Sequence, residues 1–317
     1  MPLIQLARSG LSIRTYDPPP DGFDPLTAPE SLLVHHGYAT RPDPQAEPAL
    51  FGLWKQFFAS SKLTYLVPEF RVVEGLVHGP GKRVEDQATG TSSIWSGSVL
   101  QAGSGNSFRW IEGRWTVPNP YPSTNSGWDY CSQWVGIDGW GSGDVLQAGT
   151  ETDAQQVGTV TQRNIYAWWE WYPADTIVVS DIPVAAGDVF WCLICATSAT
   201  TGSIFLRNVS SGASTWFTVN APSNVQLAGD SAEWVVERPS FKENGNLVPT
   251  TLADFSLVYF DEGQALTVTG APGSTAGGAV ANVGTGELIT MIGANNQILS
   301  RPVAEGPQSL EVDWQQS

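Results

Sequence analysis

The sequence predicts an all-β protein, a sandwich or jelly roll carrying a small mixed N-terminal extension. Three observations predict it. The 317 residues include 14 Trp and 33 Gly with only 15% charged residues, a turn-rich and aromatic-rich composition that favours strands. From residue 91 onward, about a dozen short alternating runs follow one another between turn residues. No stretch of that region repeats its apolar residues at the helical period over the length of a helix.

The elements follow in order. Residues 18–22, Pro18-Pro19-Pro20-Asp21-Gly22, read as an extended turn. Thr27-Ala28-Pro29-Glu30 has capping-box spacing before a short helix over 31–36 that Gly37 ends. A second helix is expected over 48–62, where Leu50, Leu53, Trp54, Phe57 and Phe58 fall on one face. One or two strands follow within 63–77, and the polar run 82–93 reads as a linker. Strands are then expected at 94–100, 108–117, 130–138, 145–147, 164–172, 189–196, 203–208, 214–219, 232–237, 255–259, 265–268, 288–292 and 298–300.

This divides the chain into an N-terminal extension or prosegment, 1–90, and a β-sandwich domain, 91–317. Charge divides at the same point. Residues 1–90 carry 8 of the 15 Lys and Arg and 10 of the 31 Asp and Glu, so nearly all of the net charge of −16 lies after them. All three histidines, His35, His36 and His78, also lie in the first part. Residues 91–317 alone therefore cannot supply a Ser-His-Asp triad, a Cys-His pair or a His-liganded zinc.

A net charge of −16 and a pI near 4.4 argue against nucleic acid or an anionic membrane as partner. No apolar run approaches the roughly 18 residues of a membrane span, and the first residues lack the apolar region of a signal peptide. Cys131, Cys192 and Cys195 are too few for a disulfide framework and read as buried thiols. Asn208-Val209-Ser210 is a glycosylation sequon that matters only on export.

The chemistry concentrates in four runs. In Ser231–Glu237 a strand places Glu233, Val235 and Glu237 on one face and Trp234 and Val236 on the other. Its two carboxylates stand about 13 Å apart along the strand, too far to share a proton, so a reaction centre there needs a partner from elsewhere. In 166–173, Tyr166, Trp168, Glu170 and Tyr172 share a face suited to an extended polymer, while Ala167, Trp169 and Trp171 face a core. The bland alternative pairs Glu170 with Arg163 on a solvated face. Trp134-Val135-Gly136-Ile137-Asp138-Gly139 can be no more than a strand and its turn, and Gln147 in Leu146-Gln147-Ala148-Gly149 no more than a sheet glutamine.

Taken together and in order, Trp134-Val-Gly-Ile-Asp138-Gly, Leu146-Gln147-x-Gly149, Trp168-x-Glu170-Trp171-Tyr172-Pro173 and Ala232-Glu233-x-x-x-Glu237 resemble the glutamic peptidases, the eqolisins. Trp95-Ser-Gly and Trp115-Thr-Val-Pro118 fit the start of the same domain, and the resemblance covers roughly 91–300. It implies a sandwich of two large antiparallel sheets like those of concanavalin-type lectins, with a concave substrate cleft. It implies an acid endopeptidase in which Glu237 is general base and acid and Gln147 stabilises the oxyanion. Trp134, Asp138, Trp168, Glu170 and Tyr172 are the substrate-binding residues it implies. Relatives often carry Asp two residues before the tryptophan where this chain has Tyr166, which bears on cleft shape and pH optimum.

The implied chemistry suits the residue types. A carboxylate moves the proton of an attacking water without histidine, and an amide N–H₂ donates at any pH. No cofactor and no metal is expected; the expected partners are protein or peptide substrates, and the chain is expected to act as a monomer, secreted as its relatives are despite no visible signal. The rival reading is a catalytically inactive sandwich module that binds carbohydrate or peptide. A glycosidase is weaker, because its carboxyl pair lies about 5–9.5 Å apart and the same-strand pair here is wider.

Overall fold

The two faces of the strand Ser231–Glu237 organise the molecule. In the computed structural model, which describes residues 3–5, 10–58, 64–81 and 90–315, Ala232, Trp234 and Val236 enter the main core. Val235 faces away from it, into a second cluster with Trp95, Trp134, Trp140 and Trp168. The alternation read from the sequence is therefore the alternation observed.

This strand sits near the middle of an antiparallel sheet. The order runs Glu287–Ile292, Trp95–Gln101, Ser231–Glu237, Ser132–Ile137, Leu146–Val157, Val160–Trp171, Ile177–Val179 and Phe70–Val72. A second sheet stacks behind it. From Ser12–Arg14 it runs through Ala213–Asn220, Thr201–Asn208, Val189–Ser198, Asn106–Thr116 and Leu257–Thr269 to Ser309–Trp314 and Ile298–Gly306. The strand Glu287–Ile292 serves both sheets, pairing Trp95–Gln101 through its first half and Ile298–Gly306 through its last residues. The core between the sheets is the apolar face of each: Ile111, Trp115, Ile194, Leu206 and Phe217 from behind meet Val135, Ala148, Trp169, Trp171 and Trp234 from the front. This is the predicted β-sandwich.

Several boundaries differ from expectation, each for a physical reason. The short strand expected at 145–147 extends to Leu146–Val157, and it pairs Val160–Trp171 along its whole length. Its continuation, Thr150-Glu151-Thr152-Asp153, is polar but fully inside the molecule, so apolar alternation hid it. The runs at 255–259 and 265–268 are one strand, Leu257–Thr269, broken in register between Asp261 and Gln264. The first helix is Glu30–His35, with Pro29 rather than Thr27 at its N-cap. Thr27 Oγ1 instead donates to Asp24 at 2.9 Å, so the capping box does not form. The second helix is Pro48–Phe58; the rest of its expected span, and the linker at 82–89, lie outside the described residues.

Cys192 points into the inter-sheet core and Cys195 into the opposite cluster, so they share no face and are buried free thiols, as is Cys131. Asn208 is buried, and its amide donates to Pro183 O at 2.8 Å and to Asp188 at 2.7 Å. Its side chain is thus a structural hydrogen-bonding group and not an exposed glycosylation acceptor.

Among the described residues, those before 90 are woven into this frame at five places. Ser12–Arg14 and Thr64–Tyr65 extend the back sheet beside Ala213–Asn220, and Phe70–Val72 extends the front one. The helix Pro48–Phe58 lays Leu53, Trp54, Phe57 and Phe58 on the outer face of the back sheet, against Trp191, Leu193, Phe205 and Trp216. Finally Leu76–Val77 pairs the hairpin strand Ser240–Glu243, and the chain continues over the front sheet. The attachment is chiefly apolar. The ion pair Arg109–Glu47, at 3.1 Å, even has its acid on the N-terminal side, so it owes nothing to that part's more basic balance.

Candidate active site

The front sheet presents its outward face in cross-strand rows. Glu233, Gly136, Gln147 and Glu170 form one; Val235, Trp134, Gly149 and Trp168 the next; Glu237, Ser132, Glu151 and Tyr166 a third. Glycine is required at 136, where a Cβ would come 2.8 Å from the Trp134 ring and 3.2 Å from Gln147 Cβ. Row membership alone would match Gln147 with Glu233. The surroundings separate the two carboxylates differently.

Glu237 is fully buried, and its Oε2 accepts the Trp134 indole N–H at 2.9 Å. Burial first, and then the charges of Glu170 and Glu151, push its carboxyl well above the usual range, while the Trp134 N–H pulls the other way. Glu233 is also pushed well up by burial, but the charges acting on it are those of Asp138 and Asp230. Glu237 thus belongs electrostatically with Glu170 and Glu151, and Glu233 with a separate acidic group.

Between Glu170 and Glu151 sits a residue from the N-terminal part, His78, which has no solvent exposure. Its ring stacks on Trp168, with centroids 3.6 Å apart and planes at 12°. Nε2 lies 3.0 Å from Glu151 Oε2; Nδ1 lies 3.3 Å from Glu170 Oε2 and 3.1 Å from Thr176 Oγ1. Its backbone N–H donates to Glu170 Oε2 at 3.0 Å, and Gln147 Nε2 donates to its carbonyl. Thr176 Oγ1 also lies 2.9 Å from Glu170 Oε2, which fixes that carboxylate's orientation. Burial lowers the imidazole's affinity for protons, with Glu170 opposing. Burial likewise raises the Glu170 carboxyl, against His78 and Thr176, and lifts Glu151 to about 7. Beside them the buried oxygens Gln147 Oε1 and Glu237 Oε1 have no hydrogen-bond partner among the described residues.

The structure therefore brings together Gln147, Glu237, Trp134, Trp168 and Glu170, and Tyr172 lines the same face as a partly buried neighbour of this cluster. Asp138 is placed differently. It has a left-handed φ of 72°, and its carboxylate accepts the backbone N–H groups of Ala228 and Asp230, each at 2.7 Å. It holds the loop at 228–230. Glu170 does not pair with Arg163, whose Nε donates to Pro120 O at 2.8 Å.

Sequence reasoning missed His78, Glu151 and Thr176. For Glu151 a signal existed: it lies four residues after Gln147 in one strand and so shares its face. His78 had none, since nothing local tells that residues 76–81 cross a sheet some 70 residues away in sequence.

Comparison with known proteins agrees with the architecture. Residues 93–312 match the peptidase A4 family. The chain is 32% identical to aspergillopepsin-2 of Aspergillus niger over 210 residues, 61% of this chain and 69% of that one. It is 29% identical to scytalidopepsin B of Scytalidium lignicola over 164 residues, 51% of this chain and 58% of the other. Scytalido-glutamic peptidase with a peptide-based transition-state analogue superposes with a TM-score of 0.56 at 25% identity, covering 70% of this chain and 98% of that structure. An eqolisin in complex with the tripeptide Ala-Ile-His gives 0.54 at 25%, with the same coverages. No helix among the described residues is long and apolar enough to cross a membrane. With the sandwich, the acidic residues on its front sheet and the matched span all in agreement, the chain belongs to the peptidase A4 family of glutamic endopeptidases, the eqolisins.

Proposed function

We propose that the protein hydrolyses internal peptide bonds of proteins at acid pH by direct attack of water, with Glu237 as general base and then acid, and Gln147 as oxyanion donor. The observation that carries this reading is the Gln147 amide donating to a peptide carbonyl, His78 O, on the face that also holds Glu237. An ionised Glu237 takes a proton from water as the oxygen adds to the carbonyl carbon, and returns it to the departing amine. The Gln147 N–H₂ meets the negative oxygen without changing its own protonation state. Trp134 orients Glu237; Trp168, Glu170 and Tyr172 wall the groove, and Asp138 holds the loop at its edge. No cofactor takes part. A carboxyl with an ordinary pKa of about 4.3 supplies the base at mildly acid pH once the cleft is open to water.

Residues 1–90 act in this reading as a prosegment, and export in that precursor form is the expected setting. A related structure is in complex with the tripeptide Ala-Ile-His, and Leu76-Val77-His78 is likewise two apolar residues followed by histidine. Digestion of a denatured protein at about pH 4 tests the assignment. Gln147→Ala should lose about 10² to 10³ in rate, the worth of an oxyanion donor, and Glu237→Gln should lose measurable activity. Equal cleavage by both variants and the parent would sink the roles given to Gln147 and Glu237, and no cleavage by the parent would leave a binding module.

A further inference from the structure

We propose that the bond between His78 and Gly79 is cut by this chain's own Gln147–Glu237 centre, which makes it the site at which the N-terminal part is severed. The inference rests on the catalytic roles just assigned. It goes beyond them in naming the bond, from the way residues 76–81 are seated.

The segment is held as an extended peptide. Leu76 O accepts from Thr176 N and from Thr176 Oγ1, each at 3.0 Å. The His78 N–H is bound by Glu170 and the Gly81 N–H donates to Gly139 O at 3.0 Å. Between these anchors, the carbonyl facing the Gln147 amide is that of His78, so the carbon to be attacked is the one bonded to the Gly79 nitrogen. The His78 side chain fills the pocket of Trp168, Glu151, Glu170 and Thr176, fixing the register of the peptide over the centre.

On the far side of the bond, one position excludes a side chain. A Cβ at Gly81 would lie 2.6 Å from both the Trp95 and the Trp140 rings, so the slot between these indoles admits glycine. A Cβ at Gly79 would meet Tyr172 and Leu247 at 3.6 Å, ordinary contact. His78-Gly79-Pro80-Gly81 is thus placed in a single register, and a shift by one residue would drive Pro80 or a charged side chain into the indole slot.

The step balances without any co-reactant but water. Water oxygen bonds to the His78 carbonyl carbon as Glu237 takes its proton; the oxyanion rests on Gln147; Glu237 then gives the proton to the Gly79 nitrogen and the C–N bond breaks. The products are a chain ending in the His78 carboxylate and one beginning at Gly79. The new carboxylate arises in the same buried place that raises Glu151, Glu170 and Glu237, where its charged form is disfavoured, so ionisation favours its leaving the pocket for water.

The full-length chain, unfolded in urea and refolded into a series of buffers from about pH 4 to 7, is followed by intact mass and N-terminal sequence. The expected result is a pair of fragments, 1–78 and 79–317, appearing at a first-order rate that does not change with protein concentration. Glu237→Gln should remain whole, and Gly81→Leu, which cannot seat between the indoles, should slow this scission at least tenfold while digesting an added denatured protein without delay. If the parent digests the added protein but the His78–Gly79 bond stays intact, is cut second to another bond, or is cut at a rate that rises with concentration, the inference is overturned and the catalytic reading stands. If neither the bond nor the added protein is cut, both fall.

Discussion

Replacing Trp134 with phenylalanine isolates the hydrogen bond that holds the proposed base. The indole N–H reaches Glu237 Oε2 at 2.9 Å, and both side chains are without solvent exposure. A hydrogen bond to a charged group is worth about 1.5–3 kcal/mol, and here it favours the ionised carboxylate. Its loss disfavours ionisation. Activity requires the charged form, is present above the carboxyl's pKa and fades as pH falls through it; the acid limb of kcat/KM in Trp134→Phe therefore moves to higher pH. On the acid side of that limb the expected loss is about tenfold or more, since 1.36 kcal/mol is a factor of ten. The ring contact with Trp95, at 4.9 Å and 77°, survives in part, so the competing effect is a smaller side chain in a packed cluster. That cost appears as a lower melting temperature and a uniform loss across pH. Stopped assays of an acid-treated preparation from about pH 3 to 7 separate the two, and an unmoved acid limb with a uniform loss refutes the role given to the indole.

Three further outcomes follow from the same geometry. Gly136→Ala places a methyl 2.8 Å from the Trp134 ring and 3.2 Å from Gln147 Cβ; kcat should fall by about 10²-fold with little change in KM, read from initial rates on a short peptide. Asp138 is pushed up to about 7, by burial first and by Asp230 and Asp144 in addition, so its contribution to stability is complete below about 3.9 and is lost as pH rises through 7. Asn suits the same left-handed backbone, so in Asp138→Asn the fall of melting temperature over that range should flatten, as scanning calorimetry at several pH values would register. Phe57→Ala removes a ring that meets Trp191 at 5.0 Å and Phe205 at 6.1 Å beneath the N-terminal helix; a loss of about 3–5 kcal/mol in urea unfolding of the full chain is expected, with digestion by the severed domain unchanged.

How much of this was legible in the sequence depends on how local each cause was. The face assignments of Ser231–Glu237 and of Tyr166–Tyr172 needed only the period of a strand, and they held because one face meets a continuous core. The strand beginning at Leu146 was cut short because Thr150, Glu151, Thr152 and Asp153 are polar residues at buried positions, where a functional face overrides the apolar alternation that marks a strand. The choice between Glu233 and Glu237 could not come from spacing, since cross-strand rows place Glu233 level with Gln147. The resemblance implied Glu237, and the two carboxyls differ in their neighbours: Asp138 and Asp230 act on Glu233, Glu170 and Glu151 on Glu237. The expected strands around 63–77 are three pairs of residues or triplets that join three different sheets, an outcome set by contacts with distant chain and by nothing in their own composition.

The seated segment also changes what pH does to the cleft, because its groups pull in opposite directions. His78 has its proton affinity lowered by burial, so its contribution to seating is complete above about 6.5 and is lost as pH falls through its lowered value. Glu237, Glu170 and Glu151 have theirs raised, so their contributions are complete below about 4.3 and are lost as pH rises through the raised values, about 7 for Glu151. The Tyr166 hydroxyl, also raised by burial, stays neutral throughout and adds no slope. Acid therefore loosens the imidazole while it relieves the carboxyls, and acid alone is no simple release. The same burial disfavours the ionised form of Glu237 under the segment, so scission of the seated bond needs a higher pH than digestion by an opened, hydrated cleft. The acid limb for His78–Gly79 scission should accordingly lie above that for an added substrate, and coincident limbs would mean that the segment does not desolvate the base it covers.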